Sequence, residues 1–147
     1  MGLTYLMTTL PIMKKISALA LLISLCTLPV ANSVAAWQDL GGPELFTVYA
    51  DPDTMSVNGD KVQIMSMLDF KKPGVNPKTK AAVNSIVGLN EYDCANAKYR
   101  PIEFKEFAGN KGTGKVVSDN KTPDSPFEDI ANGSWAAGVF NIACKRK

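Results

Sequence analysis

Two cysteines set 50 residues apart, Cys94 and Cys144, constrain this chain more than any other feature, because they are the only ones the mature protein is expected to keep. The third, Cys26, lies in an apolar run from Ile16 to Val30 that follows Met13-Lys14-Lys15 and ends near the small residues Ser33-Val34-Ala35. A charged start, a short apolar run and a small-residue end are the pattern of a cleaved export signal. The run is shorter than the roughly 20 apolar residues a membrane-spanning helix needs. Met13 is therefore expected to be the true start, with an upstream extension before it. Residues 1–35 read as extension and signal, residues 36–147 as one domain, with no integral membrane segment after cleavage. Leu25 precedes Cys26 where lipid attachment wants a small residue, so Cys26 is expected to leave with the signal.

An even cysteine count in an exported chain reads as a framework bridge. Closing a loop of about 50 residues removes roughly 4 kcal/mol of chain entropy from the unfolded state. That is comparable to the whole stability of a small domain.

Cleavage after Ala35 removes Lys14 and Lys15 and no acidic residue, taking the 16 basic residues to 14, equal to the 14 acidic ones. A neutral domain lacks the general attraction to nucleic acid that a basic one has, so no nucleic-acid partner is expected. Histidine is absent. Its absence removes Ser-His and Cys-His activation, most zinc sites and the commonest acid-base residue. No other residue set points to catalysis, so neither enzymatic activity nor a cofactor is expected.

Leu45 to Ala50 is a β-branched and aromatic run of strand length, with Asp51-Pro52-Asp53 expected to stop it. Asn58-Gly59 supplies a tight hairpin turn. Val62, Ile64, Leu68 and Phe70 then alternate with Lys61, Gln63 and Asp69, the mark of a half-buried strand. Met65 and Met67 interrupt the polar face, so another element should cover part of it. Lys71 to Lys80, rich in Lys, Pro and Gly, reads as an exposed loop. Strand-like runs follow at Val83 to Tyr92, Tyr99 to Phe107 and Lys115 to Ser118, separated by Ala95-Asn96-Ala97 and by Gly109 to Gly114. Short consecutive strands with brief turns favour an antiparallel meander. Ser134 can cap a helix in which Trp135, Val139, Ile142 and Ala143 form one stripe, with Lys145, Arg146 and Lys147 at its carbonyl end. The fold class expected is α+β: an antiparallel meander with a C-terminal helix on one face, tied by the disulfide.

Gly109-Asn110-Lys111-Gly112-Thr113-Gly114-Lys115 fits seven positions of a phosphate-binding loop. The eighth is Val116, with no hydroxyl for magnesium, and a strand follows where a phosphate site needs a helix N-terminus. No nucleotide is expected, only a glycine turn. Asp51, Asp53, Asn58 and Asp60 do not match the spacing of a calcium loop and read as a turn with solvated carboxylates. Glu103 and Glu106, three apart on a strand, face opposite sides and make a poor acid-base pair. Lys71, Lys72, Lys78 and Lys80 are the local candidates for contacting an acidic partner. Tyr99 and Arg100 belong to an aromatic and cationic group of a kind common in protein-binding surfaces, although packing is the commoner use of such residues.

Tyr49-Ala50-Asp51 with Asn58-Gly59 and Val62, then Leu68-Asp69-Phe70, Glu91-Tyr92-Asp93-Cys94, Tyr99-Arg100, the glycine turn and Ile142-Ala143-Cys144 together resemble the bacterial surface-adhesin protein E family. The resemblance spans nearly the whole mature chain. It implies an antiparallel sheet with a C-terminal helix held on one face by the disulfide. It also implies an exported, non-enzymatic, adhesin-like binding protein whose partners would be host extracellular-matrix proteins of the vitronectin or laminin type. The alternative is a soluble periplasmic protein with a housekeeping or stress role. Periplasm against cell surface or secretion stays open, and so does a homodimer.

Overall fold

The computed structural model describes residues 35–145. The expected signal up to Val34, and Arg146 and Lys147, lie outside the described residues. The strands are β1 (Gln38–Asp39), β2 (Phe46–Asn58), β3 (Lys61–Val75), β4 (Ala82–Asp93), β5 (Lys98–Phe107), β6 (Val116–Lys121) and β7 (Glu128–Asp129), followed by helix α1 (Trp135–Cys144). They form one antiparallel sheet in the order β1-β2-β3-β4-β5-β6, with β7 pairing the start of β5. Spatial order follows chain order, as expected of a meander.

Alternation along β3 sorts the two faces. Val62, Ile64, Ser66 and Leu68 pair with Tyr92, Asn90, Gly88 and Ile86 on the face that α1 covers. There Ala136, Val139 and Ala143 of the helix are buried against Val48, Ala50, Val62, Ile64 and Tyr92. Ser134 caps α1 as expected, its Oγ accepting the Ala137 amide at 3.2 Å, which satisfies one of the helix's orphan donors. Cys94, just past β4, is bonded to Cys144 in the last turn of α1, with 5.4 Å between Cα atoms. The expected bridge and fold class are therefore both present.

Four local expectations need correction. Asp51-Pro52-Asp53 does not end β2. Pro52 has no N–H to give to the ladder, so the strand bulges between Asp51 and Ser56 and then resumes. Asp51 is buried, not solvated. Its Oδ1 accepts the Asp53 amide at 3.1 Å and its carbonyl accepts the Thr54 hydroxyl at 2.7 Å, while Thr54 Oγ1 accepts the Met65 amide across the bulge. The hairpin turn is centred on Gly59 and Asp60, with Asn58 still paired to Lys61. Gly59 takes the positive φ of 59° that this turn demands.

The fourth correction concerns Lys71 to Lys80. It is exposed for the most part and connects two strands, as expected, but the loop is shorter: β3 continues to Val75, and only residues 76–81 connect it to β4. Buried Asn76 organises the connection. Its Oδ1 accepts the Lys78 and Thr79 amides at 2.9 and 2.8 Å, and its Nδ2 donates to Glu106.

Candidate binding surface

The glycine turn between β5 and β6 sits on the sheet face opposite α1. Asp69 Oδ1 accepts the Lys111 amide at 2.7 Å and the Asn110 side chain at 3.0 Å, while Ser85 Oγ accepts the Gly112 amide at 2.9 Å. The turn thereby packs on β3 and β4 and supplies the cover that Met65 and Met67 called for; Met67 is buried. Gly109 and Thr113 spend their amides within the turn, on Thr113 O and Asn110 O. With these N–H groups bound to protein oxygens and strand β6 following, the turn presents no phosphate cradle. Gly112 has a φ of 69°, and a Cβ there would approach Val87 Cγ2 to 3.0 Å, so the motif's glycines serve close packing on the sheet.

The turn carries two further exposed lysines over the face opposite α1, whereas the connection bearing Lys78 and Lys80 leans over the other face, where Asn76 meets Glu106. Lys111 holds its Nζ 5.8 Å from the Tyr49 ring centroid, and Lys115 leads into β6. Neither these two nor Lys71, Lys72, Lys78 and Lys80 form an ion pair among the described residues, whereas Lys61, Lys98, Arg100, Lys105 and Lys121 all do. Lys71 reaches only a carbonyl, Pro43 O at 3.3 Å. Two carboxylates of the same region are turned inward, Asp69 to Asn110 and Glu106 to Asn76 and Ser118. All six lysines are exposed. Lys111 and Lys115 were legible as lysines of the glycine motif, but the place of Lys111 over Tyr49 follows from how the turn folds back.

Tyr99 and Arg100 are adjacent on β5 and point to opposite faces. Tyr99 lies under α1, stacked on Tyr92 with centroids 6.0 Å apart and edge-on to Trp135 at 5.4 Å. Burial raises its hydroxyl pKa, and Glu128 adds to the rise. Arg100 is committed inside the protein. Its Nε and Nη2 donate to Glu91 Oε1 at 3.0 and 2.8 Å, and its guanidinium lies 4.7 Å from the Phe127 ring centroid. Burial pulls the Glu91 carboxyl up, but hydrogen bonds from Gln63 and Arg100 and the charges of Arg100 and Lys61 outweigh it. The net position is below the usual carboxylate range. Beside this pair, hydrogen bonds from Asn96 and Lys61 hold the Asp93 carboxyl well below that range. The structure thus gathers the four predicted lysines at one place and gives Tyr99 and Arg100 two separate ones.

No cluster of three or more His, Cys, Asp or Glu side chains suited to a metal occurs among the described residues. No helix among them is long and apolar enough to cross a membrane.

Comparison with known proteins gives the same architecture. Solved structures of protein E from Haemophilus influenzae superpose with TM-scores of 0.53 and 0.52 at 17% and 15% identity. They cover 67% and 74% of this chain and 80% and 93% of theirs. Protein E from a non-typeable strain of that organism gives 0.55 at 16% identity, covering 80% of this chain and 81% of its own. At such identities the likeness speaks for the fold. No curated protein matches this sequence. The sequence profile of surface-adhesin protein E matches residues 37–145, from before β1 through the end of α1. The chain belongs to the surface-adhesin protein E family.

Proposed function

We propose that this chain is an exported, non-enzymatic adhesin that binds host extracellular-matrix proteins of the vitronectin or laminin type through its lysine-bearing sheet edge. The observation that carries the reading is the set of exposed lysines on one hairpin, Lys71, Lys72, Lys78 and Lys80, which form no ion pair among the described residues. Family membership supports the adhesive role. Replacing Lys71, Lys72, Lys78 and Lys80 together with alanine should leave the melting temperature nearly unchanged, since exposed substitutions are usually within about 0.5 kcal/mol. Binding to immobilised vitronectin and laminin should fall and lose its salt dependence. Binding that survives unchanged would exclude this edge as the contact.

A soluble periplasmic protein of housekeeping or stress role is the second reading, favoured by Leu25 in front of Cys26, which gives lipid attachment no small residue. Protease shaving of intact cells, with detection of the mature protein, separates the two. Loss of signal favours the adhesin, and protection until the outer membrane is permeabilised favours the periplasmic protein.

A further inference from the structure

Helix α1 leaves part of its own sheet face open. Beyond Trp135, a cleft of about 200 Å³ is lined by Leu68, Ile86, Tyr99, Pro101 and Phe104, with Ser66, Gly88 and Asn90 at its floor. Gly88 keeps the floor hollow. A Cβ at that position would stand 2.8 Å from Glu103 O and 2.9 Å from Phe104 Cβ, so no other residue fits the present backbone.

Ser66 and Asn90 are 4% and 5% exposed. Asn90 Nδ2 donates to Ser66 Oγ at 2.8 Å and, at the long limit of 3.5 Å, to Gly88 O. Among the described residues, Asn90 Oδ1 accepts no hydrogen bond and the Ser66 hydroxyl donates none. Replacing both partners of a hydrogen bond by apolar groups of the same shape is neutral or stabilising. For folding alone, leucine and alanine would serve as well here. The pair therefore offers one acceptor and one donor, side by side, at the bottom of an apolar cup.

The complement of that pattern is a neutral group carrying both an N–H and a C=O, as a peptide group does. A carboxylate would face Asn90 Oδ1 with like polarity, and no acidic side chain lines the cleft to receive an ammonium. The volume is below the roughly 300–1,000 Å³ of a drug-sized ligand site and suits a single large side chain. We propose that this cleft binds a polypeptide partner, taking one apolar or aromatic side chain against Trp135, Tyr99 and Phe104 and the neighbouring peptide group on Asn90 and Ser66. The proposal rests on reading the chain as a protein-binding module, but at a place separate from the lysine edge.

The test uses the exported protein and three probes at millimolar concentration, read by the Trp135 indole and Asn90 side-chain resonances. N-acetyl-phenylalaninamide carries both the side chain and the amides; ethylbenzene and N-acetylglycinamide each carry half. Saturable shifts with the first, and binding about tenfold weaker or less with the others, are expected from a hydrogen-bonded amide in a closed site. Ser66→Ala with Asn90→Leu should keep or raise the melting temperature and reduce N-acetyl-phenylalaninamide to the ethylbenzene level. Ile86→Phe, which fills the cleft while leaving the polar pair intact, should abolish binding independently. The proposal is overturned if the two resonances do not shift saturably, or if ethylbenzene binds as well as the amide. Failure of matrix-protein binding with N-acetyl-phenylalaninamide still bound would remove the adhesive reading and leave the cleft standing.

Discussion

Arg100 binds Glu91 through two nitrogens on one oxygen, Nε and Nη2 to Oε1, while Gln63 Nε2 takes the other oxygen at 2.9 Å. The Glu91 side chain is only 12% exposed, so removing Arg100 leaves a shielded carboxylate with one of its three hydrogen bonds. Arg100→Ala should lower stability by about 2 kcal/mol in denaturant titration. Arg100→Lys should recover less than half, because an ammonium cannot reproduce the planar fork. A midpoint unchanged in both variants would show the pair to be stabilising nothing. Binding assays on Arg100 variants accordingly need a fold check first.

Tyr92 is fully buried, and its hydroxyl has no hydrogen-bond partner among the described residues. Burial, with Tyr99 beside it, pushes that hydroxyl's pKa far up. Tyr92→Phe keeps the ring against Tyr99 and Phe140 and removes an unpaired polar atom. It should raise stability by about 1 kcal/mol, a gain of roughly 4 °C in melting temperature for a domain of this size. A loss on calorimetry would mean that the hydroxyl is satisfied in solution.

Acid should destabilise the domain through Asp93 and Glu91. Both carboxyls are depressed in the folded state, so their contribution is complete above their unfolded values of about 3.9 and 4.3 and is lost as pH falls through the folded values. Stability should be flat from neutrality to about pH 5 and fall steadily below about pH 4. Asp93→Asn should flatten that acid limb. An equally steep limb in the variant would assign the acid sensitivity elsewhere.

Asp69 pins the glycine turn with one oxygen. Asp69→Ala should speed hydrogen exchange at Lys111 and Gly112 while leaving exchange in α1 unchanged, since the loss is local to the opposite face. Unchanged protection at Lys111 would show that Ser85 and the bond from Asn110 to Phe70 O hold the turn without it.

The strands, the helix and the bridge were legible because each rests on a short-range rule: alternation along β3, the Ser134 cap, an even cysteine count. The bulge after Asp51 was not. Proline and two aspartates are a stop signal locally, and only the cross-strand bond from Met65 to Thr54 shows how the ladder resumes. The length of the Lys71 to Lys80 loop was misread for a similar reason, since composition shows solvent exposure but not the buried Asn76 that organises it. Of the candidate surface, the four lysines were visible as a cluster. The packing of the glycine turn on β3, and the pairing of Ser66 with Asn90 across β3 and β4, depend on contacts distant in sequence.

Because every sheet neighbour from β1 to β6 is also a chain neighbour, the sheet can assemble by successive hairpins, each closing a short loop at small entropic cost. Docking α1 against β2 and β3 is the event of longest range, spanning most of the domain. Oxidation of Cys94 and Cys144 acts on that event, making the last element to arrive also the one least free to leave. In a reducing medium the sheet is expected to outlast the helix, with Val62, Ile64 and Tyr92 laid bare where α1 had been.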